Sequence, residues 1–103
     1  QMNMQQMMKQ ARKMQEQLAA AQERLKDVEV SASAGGGMVK VVASGEMTVK
    51  SIEISPDAVD PEDVELLQDM VLAAVNEALS SAQQAAGAQM SAVTGGMNIP
   101  GLF

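Results

Sequence analysis

The sequence predicts a small α+β domain in which a helix, three antiparallel strands and a second helix follow in the order α-β-β-β-α. Two long stretches place apolar residues at helical spacing, and the segment between them alternates apolar and polar residues around glycine-containing turns. A length of 103 residues corresponds to one domain. We therefore expect a single domain over 1–103, with a helical arm at 1–27, a three-stranded sheet at 28–54, a C-terminal helical region at 60–93 and a flexible tail at 94–103.

The first predicted helix carries an apolar seam with the a/d spacing of a coiled coil. The seam consists of Met7, Ala11, Met14, Leu18, Ala21, Leu25 and Val28. Because Ala and Met outnumber Leu in it, we expect the seam to pack against another helix of the fold or in a dimer, in preference to serving as an adaptable binding surface. The same register places Lys9, Arg12 and Lys13 on the opposite, solvated face.

Three short strands are predicted between the helices. The turns that join them are short and contain glycine, so neighbouring strands must be antiparallel. The alternation slips between Val49 and Ile52, which predicts a bulge near Lys50 and Ser51. The predicted strands cover 28–34, 38–43 and 47–54.

The second helix has a well-marked start. Asp60 is a candidate N-cap, Pro61 suits the first helical position, and acidic residues follow in the first turn. A broad apolar stripe over 64–82 predicts contact with the sheet on one side and another helix on the other. Gly87 is expected to kink or end this helix, with 89–93 resuming it.

Two motifs that suggest ligand binding have simpler interpretations. Gly35-Gly36-Gly37 followed by Lys40 lacks the spacing of a phosphate-binding loop and precedes a strand, which favours a hairpin turn. The acidic residues at 57–65 lack the pattern of a calcium loop and are typical of helix capping.

Composition excludes several classes of function. The chain has no His and no Cys, which excludes Ser-His-Asp and Cys-His catalysis, thiol redox chemistry, disulfides and ordinary zinc sites, so we expect no enzymatic activity.

The longest wholly apolar run, at 70–75, is far shorter than the ~20 residues of a membrane span, and no signal peptide is recognisable. We therefore expect a cytoplasmic protein without membrane association. Because large apolar residues are few, we also expect an oligomer.

Charge is distributed unevenly along the chain. All seven Lys and Arg residues lie within 1–50, whereas 51–103 carries only acidic charges, and the formal net charge is −6. A helix of 27 residues is about 40 Å long, whereas a seven-residue strand covers about 23 Å, so one end of the helix should project. That free end carries Lys9, Arg12 and Lys13. In a homodimer, two such arms could contact a duplex through its phosphates, although a solvated face without a ligand remains the simpler alternative.

Five segments, in chain order, resemble the corresponding segments of the YbaB/EbfC family of bacterial nucleoid-associated proteins. The resemblance covers essentially the whole chain. It implies a tweezers-like α-β-β-β-α homodimer whose projecting helices grip double-stranded DNA, with no catalysis and no cofactor. The segments are MKQARKMQEQ at 8–17, GGGMVKV at 35–41, ISPD at 54–57, DPEDVE at 60–65 and TGGMNIPGLF at 94–103.

The resemblance implies a cytoplasmic, nucleoid-associated protein that binds duplex DNA with little sequence specificity. Members often carry Lys or Arg in the C-terminal helix, whereas residues 80–90 have none here. The DNA-binding residues implied by matching are therefore limited to Lys9, Arg12 and Lys13, with Arg24 and Lys26 as lesser candidates nearer the sheet. The alternative function is a non-catalytic protein–protein adaptor that docks its Met- and Gln-rich helix onto a partner protein.

Overall fold

A computed structural model describes residues 3–94 and contains the predicted α-β-β-β-α order. The three strands form one antiparallel sheet in the order β1-β2-β3. A short 3-10 helix, Pro56–Ala58, precedes the second α-helix. The elements are α1 (Met4–Leu25), β1 (Glu29–Ala34), β2 (Val39–Ser44), β3 (Val49–Ile54) and α2 (Val64–Thr94).

The sheet contains the bulge that the sequence predicted. In the β2–β3 pair, Val42 lies opposite Ser51 while its neighbour Ala43 lies opposite Val49. Lys50 is therefore the extra residue, and the phase of the strand changes there, as the slipped alternation indicated.

The core is narrow and built from small side chains. Helix α2 packs mainly on β1 and β2 and makes few contacts with β3. Alanines on the inner face of α2 allow a close approach to the sheet, and Val39 and Val41 are the largest fully buried side chains. The buried cluster consists of Val39, Val41, Ala43, Ala74, Ala78 and Ala82.

Helix α2 begins later than the sequence predicted and is continuous through Gly87. The segment from Asp60 forms its own turn, in which the Asp63 N–H donates to the Asp60 carbonyl at 3.0 Å. The Asp63 side chain then accepts from the Leu66 N–H at 3.3 Å, so Asp63, and not Asp60, caps the helix. Gly87 neither ends α2 nor contacts a neighbouring element, and the helix continues to Thr94. Apart from Thr94, the tail predicted at 94–103 lies outside the described residues.

The first helix forms the predicted projection. Asn3 caps it by accepting from the Gln6 N–H at 2.8 Å. Every residue from 3 to 13 is exposed, and we call this segment the arm tip. The described residues accordingly extend over 71 × 24 × 16 Å.

The two helices pack antiparallel at the base of the arm. Arg24 of α1 contacts Gln89 of α2, and Ala92, further along α2, lies beside Gln17 and Ala20, which are earlier in α1. The seam of α1 is covered only along this overlap, where Ala21 is buried. Within one chain the seam is thus packed against another helix along this overlap, as expected, and exposed at the arm tip, where α2 provides no neighbour for it.

Candidate nucleic-acid interface

Three basic side chains lie on the face of the arm tip opposite the apolar seam. Lys9, Arg12 and Lys13 are all exposed, and the arm tip contains no acidic residue. Lys9 and Lys13 line a shallow groove together with Gln6 and Gln10. Spacings of three, four and seven residues place these four side chains on one face of the helix. The groove therefore combines two cations with two amide groups that can donate hydrogen bonds.

The three cations are available for an external anion. Within residues 3–94, no hydrogen bond or ion pair engages Lys9, Arg12 or Lys13. The first acidic residue along α1 is Glu16, one turn beyond Lys13. Because no internal carboxylate has to be displaced, an approaching phosphate meets these side chains already solvated and unpaired.

Arg24 and Lys26 are placed differently from the other three candidates. The Arg24 Nε donates to Gln89 Oε1 at 3.3 Å and joins α1 to α2. Lys26 forms an ion pair with Glu23 at 3.2 Å, and the hydrogen bond that its Nζ donates to the Glu23 carboxylate raises the pKa of the Lys26 ammonium. Arg24 lies eleven residues from Lys13, about 16 Å along the helix axis. The structure therefore brings Lys9, Arg12 and Lys13 together and leaves Arg24 and Lys26 at the base of the arm.

The densest group of acidic residues, five of the thirteen in the chain, lies at the opposite end of the molecule. The cluster at 57–65 precedes or begins α2. From Val64 to Gln89, which contacts the base of the arm, α2 rises about 38 Å, and the acidic cluster lies at the far end of that span. That separation exceeds the ~10 Å screening length at 0.1 M salt several times over, so the arm tip is electrostatically independent of the acidic end.

The glycine turn is the hairpin connection that the sequence favoured, and the acidic segment caps α2 through Asp63 while Asp60 closes the preceding turn. Asp60 Oδ1 accepts from the Glu62 N–H at 2.9 Å, within the turn that precedes α2. Among residues 3–94, no group of three or more His, Cys, Asp or Glu could hold a metal ion. Gly35, Gly36 and Gly37 all have positive φ and connect β1 to β2. Neither helix within 3–94 has the length and apolar character needed to cross a membrane.

Sequence reasoning missed an apolar groove between β3 and α2. Ile54 lies on the inner side of β3, opposite buried Val39, yet it remains 40% exposed because α2 is centred over β1 and β2. Leu72, on the adjacent flank of α2, is 60% exposed. The groove is lined by Ile54, Leu67, Gln68, Val71, Leu72 and Val75. Alternation within β3 identifies the inner residues, but only the position of α2 shows that they are uncovered.

Comparison with known proteins assigns a family. A family model described as the YbaB/EbfC DNA-binding family matches residues 1–97. A nucleoid-associated protein of Alkaliphilus metalliredigens is 56% identical over 101 residues, which cover 98% of this chain and 89% of the relative. One from Pelotomaculum thermopropionicum is also 56% identical, with 98% and 96% covered. The crystal structure of an uncharacterized Helicobacter pylori protein shares the fold, with a TM-score of 0.75 at 22% identity, covering 87% of this chain and 95% of that one.

Proposed function

This chain belongs to the YbaB/EbfC DNA-binding family, and we propose that it is a nucleoid-associated protein that binds double-stranded DNA through the arm tip of a homodimer. The observation that carries the proposal is the group of three exposed, unpaired cations, Lys9, Arg12 and Lys13, on a projecting helix tip that contains no acidic residue. Binding is driven by neutralisation of phosphates and release of counterions.

The geometry of the arm tip suits the DNA backbone better than the bases. From Lys9 to Lys13 the helix rises about 6 Å, which corresponds to roughly two phosphates along one strand at 3.4 Å per phosphate. The groove residues Gln6 and Gln10 add amide donors to the same face. Side chains that contact phosphates fix orientation and carry no sequence information. We therefore expect little sequence specificity.

A homodimer would provide two arm tips, and the groove between β3 and α2 is the surface that we assign to the contact. The groove is apolar along Ile54, Val71 and Leu72, and β3 is an edge strand. A second copy brings an identical apolar surface, and a contact of this kind closes a two-fold dimer. Because the core of the single chain is small, burial of this surface in a dimer would add to the stability of the fold.

The composition of the chain supports a role without catalysis. With no His or Cys in the chain, the usual nucleophile–base pairs are unavailable. The relatives named above are nucleoid-associated proteins, and we propose that this chain likewise resides on the nucleoid in the cytoplasm. The comparisons offer no support for the alternative function as a protein–protein adaptor.

The test compares two variants that each remove two lysines per chain. Lys9→Ala/Lys13→Ala removes cations of the arm tip. Lys40→Ala/Lys50→Ala, the matched control, removes two lysines of the sheet. Affinity for a labelled duplex is measured by fluorescence anisotropy at 50 mM salt. The arm-tip variant should lose on the order of a hundredfold in affinity, because four of six phosphate contacts disappear from the dimer.

The control should retain its affinity within about threefold, since long-range charge alone has a weak effect once it is screened. Circular dichroism and light scattering should show both variants folded and dimeric. Equal losses in the two variants would contradict a specific role for the arm tip. Undiminished binding by the arm-tip variant would also contradict it.

A further inference from the structure

The arm is anchored at its base, where the C-terminal end of α1 meets the sheet. Ala21 is fully buried there, in the overlap with α2. The turn between β2 and β3 approaches the helix closely, because a Cβ at Gly45 would lie 2.8 Å from the Leu25 carbonyl oxygen. The Gly45 N–H also donates to the Val28 carbonyl at 3.0 Å. The end of α1 is therefore fixed to the sheet, and the arm extends from this point.

A groove runs between α1 and α2 just beyond the anchored end. Ala20 of α1 and Ala92 of α2 line it, together with the longer side chains of Gln17 and Arg24. Interlocking ridges of side chains are what fix the angle between two packed helices. Because alanines form only low ridges, their contact on this side resists a change in the angle of the arm weakly.

One long side chain bridges the two helices at this groove. The Arg24 Nε donates to Gln89 Oε1 at 3.3 Å. Within residues 3–94 the Arg24 guanidinium forms no ion pair, so the amide of Gln89, and not a carboxylate, holds it. A hydrogen bond depends on direction as well as distance, and the guanidinium is planar. The bond between Arg24 and Gln89 therefore favours one angle of α1 relative to α2.

A small rotation at the base of the arm displaces the arm tip considerably. From Arg24 to Lys9 the helix rises about 22 Å, so a rotation of about 10° moves Lys9 by about 4 Å. That displacement exceeds the spacing of about 3.4 Å between neighbouring phosphates of one strand. In the proposed dimer both arm tips meet the same duplex, so the angle of each arm affects the affinity.

We propose that Arg24 is a positioning residue, whose hydrogen bond to Gln89 holds the arm at the angle at which the arm tip meets DNA. This inference rests on the proposed function of the arm tip. It also changes the role of Arg24, which the family resemblance implied as a lesser candidate for DNA contact. Arg24 acts through Gln89 and not through a phosphate, and the uncharged Gln89 becomes a residue on which DNA affinity depends.

The two roles of Arg24 predict opposite effects of substituting Gln89. Gln89→Leu removes the acceptor and leaves every cation of the chain in place. If Arg24 positions the arm, the affinity for a labelled duplex should fall on the order of fivefold, because each arm loses a hydrogen bond that holds its angle. If Arg24 contacts DNA itself, its release from Gln89 should leave the affinity unchanged or raise it, and the proposal is wrong. Fluorescence anisotropy at 0.1 M salt measures the difference.

Two further variants of α2 separate positioning from a general effect of substitution. Gln89→Glu keeps an acceptor oxygen for Arg24 and should retain the affinity, since its added charge lies beyond the ~10 Å screening length from Lys9. Gln84→Leu, the matched control, replaces an exposed amide of the same helix and should also retain the affinity. Circular dichroism should show all three variants folded. A loss in either of these two variants equal to that in Gln89→Leu would overturn the positioning role.

The salt dependence of Arg24→Ala provides a second readout. If Arg24 contacts no phosphate, this variant should bind more weakly than the unsubstituted protein, with the same slope of log K against log salt. If each Arg24 of a dimer neutralises a phosphate, the slope should become less steep by about 2. That result would contradict the proposal.

A distance measurement tests the positioning without DNA. The chain has no cysteine, so Gln5→Cys on the arm tip and Ser80→Cys on α2 provide two exposed sites for nitroxides. Dilution with unlabelled chain restricts the distances measured by electron paramagnetic resonance to one chain. Gln89→Leu should shift or broaden the distance distribution, whereas Gln84→Leu should not.

The distance measurement also keeps the positioning role separate from the proposed function. If Lys9→Ala/Lys13→Ala retains full affinity, DNA binding by the arm tip is contradicted, and the distances still show whether Gln89 sets the angle of the arm. If the distribution is the same with and without Gln89→Leu, the positioning role of Arg24 is wrong, whatever the arm tip binds.

Discussion

At the residue scale, Gly35 is a position where both the backbone conformation and the packing favour a residue without a side chain. Gly35 has φ +63°, and a Cβ placed there would collide with the Sδ of Met70 on α2. Gly36 has a similar φ of +68°, yet a Cβ there would meet nothing within 4 Å. The two positions share a backbone cost for any larger residue and differ only in packing.

Gly35→Ala should therefore destabilise the fold more than Gly36→Ala. Both substitutions place alanine in an unfavourable left-handed backbone conformation. Only Gly35→Ala also displaces the flexible Met70 side chain, which adds about 1 kcal/mol to the loss of unfolding free energy. Urea unfolding followed by circular dichroism measures the difference, since the chain has no Trp or Tyr. Equal free energies of unfolding would show that Met70 moves away at no cost.

Residue-level partners were predictable only when they were local. The heptad register depends on neighbouring residues alone, and it correctly identified the seam where α2 covers it, since Met14 and Leu18 are half-buried and Ala21 is buried. The contact between Arg24 and Gln89 joins residues 65 positions apart, and no periodicity reveals it. For that reason sequence reasoning kept Arg24 as a lesser candidate and did not identify its partner.

At the scale of elements, the number, type and order of the helices and strands were predictable, whereas their boundaries depended on tertiary contacts. Gly87 was expected to disturb α2, but the helix continues through it. Packing of α2 against α1 in this region offsets the ~1 kcal/mol cost of a helical glycine. Helix α2 starts at Val64, later than predicted, because residues 60–63 form a separate turn that is closed by its own backbone hydrogen bond.

The pairing of β3 with α2 leaves a face that we assign to the dimer, and Leu72→Asp tests it. A charge on this exposed position should convert the dimer to a folded monomer, because a buried, unpaired carboxylate at an interface is strongly unfavourable. Sedimentation or light scattering measures the mass. Since Leu72 is already 60% exposed in the single chain, the circular dichroism spectrum should change little.

The matched control is Leu66→Asp, which introduces the same charge on α2. Leu66 is 54% exposed and, six residues away, lies on the other flank of the helix. The Leu66 variant should remain dimeric. A Leu72 variant that stays dimeric would mean that the two copies associate through a different surface.

At the scale of the whole molecule, the important property is the distance between the basic residues of the arm tip and the acidic residues at the start of α2. The net charge of −6 would argue against binding a polyanion if it were spread evenly. In the elongated fold, the cations of the arm tip lie far from the acidic start of α2. Length arithmetic predicted the projection, because helices and strands have fixed rises. The overlap of α1 with the end of α2 required the structure, because it depends on how two distant segments align.

The most direct test of the account is the salt dependence of DNA binding by the unsubstituted protein. Two arm tips with three cations each predict a slope of log K against log salt near −5, which is about a thousandfold loss in affinity between 50 and 200 mM salt. Anisotropy titrations of a labelled duplex across that range measure the slope. A slope close to zero, or no binding at 50 mM, would contradict the proposal that phosphate contacts from the arm tips hold the DNA.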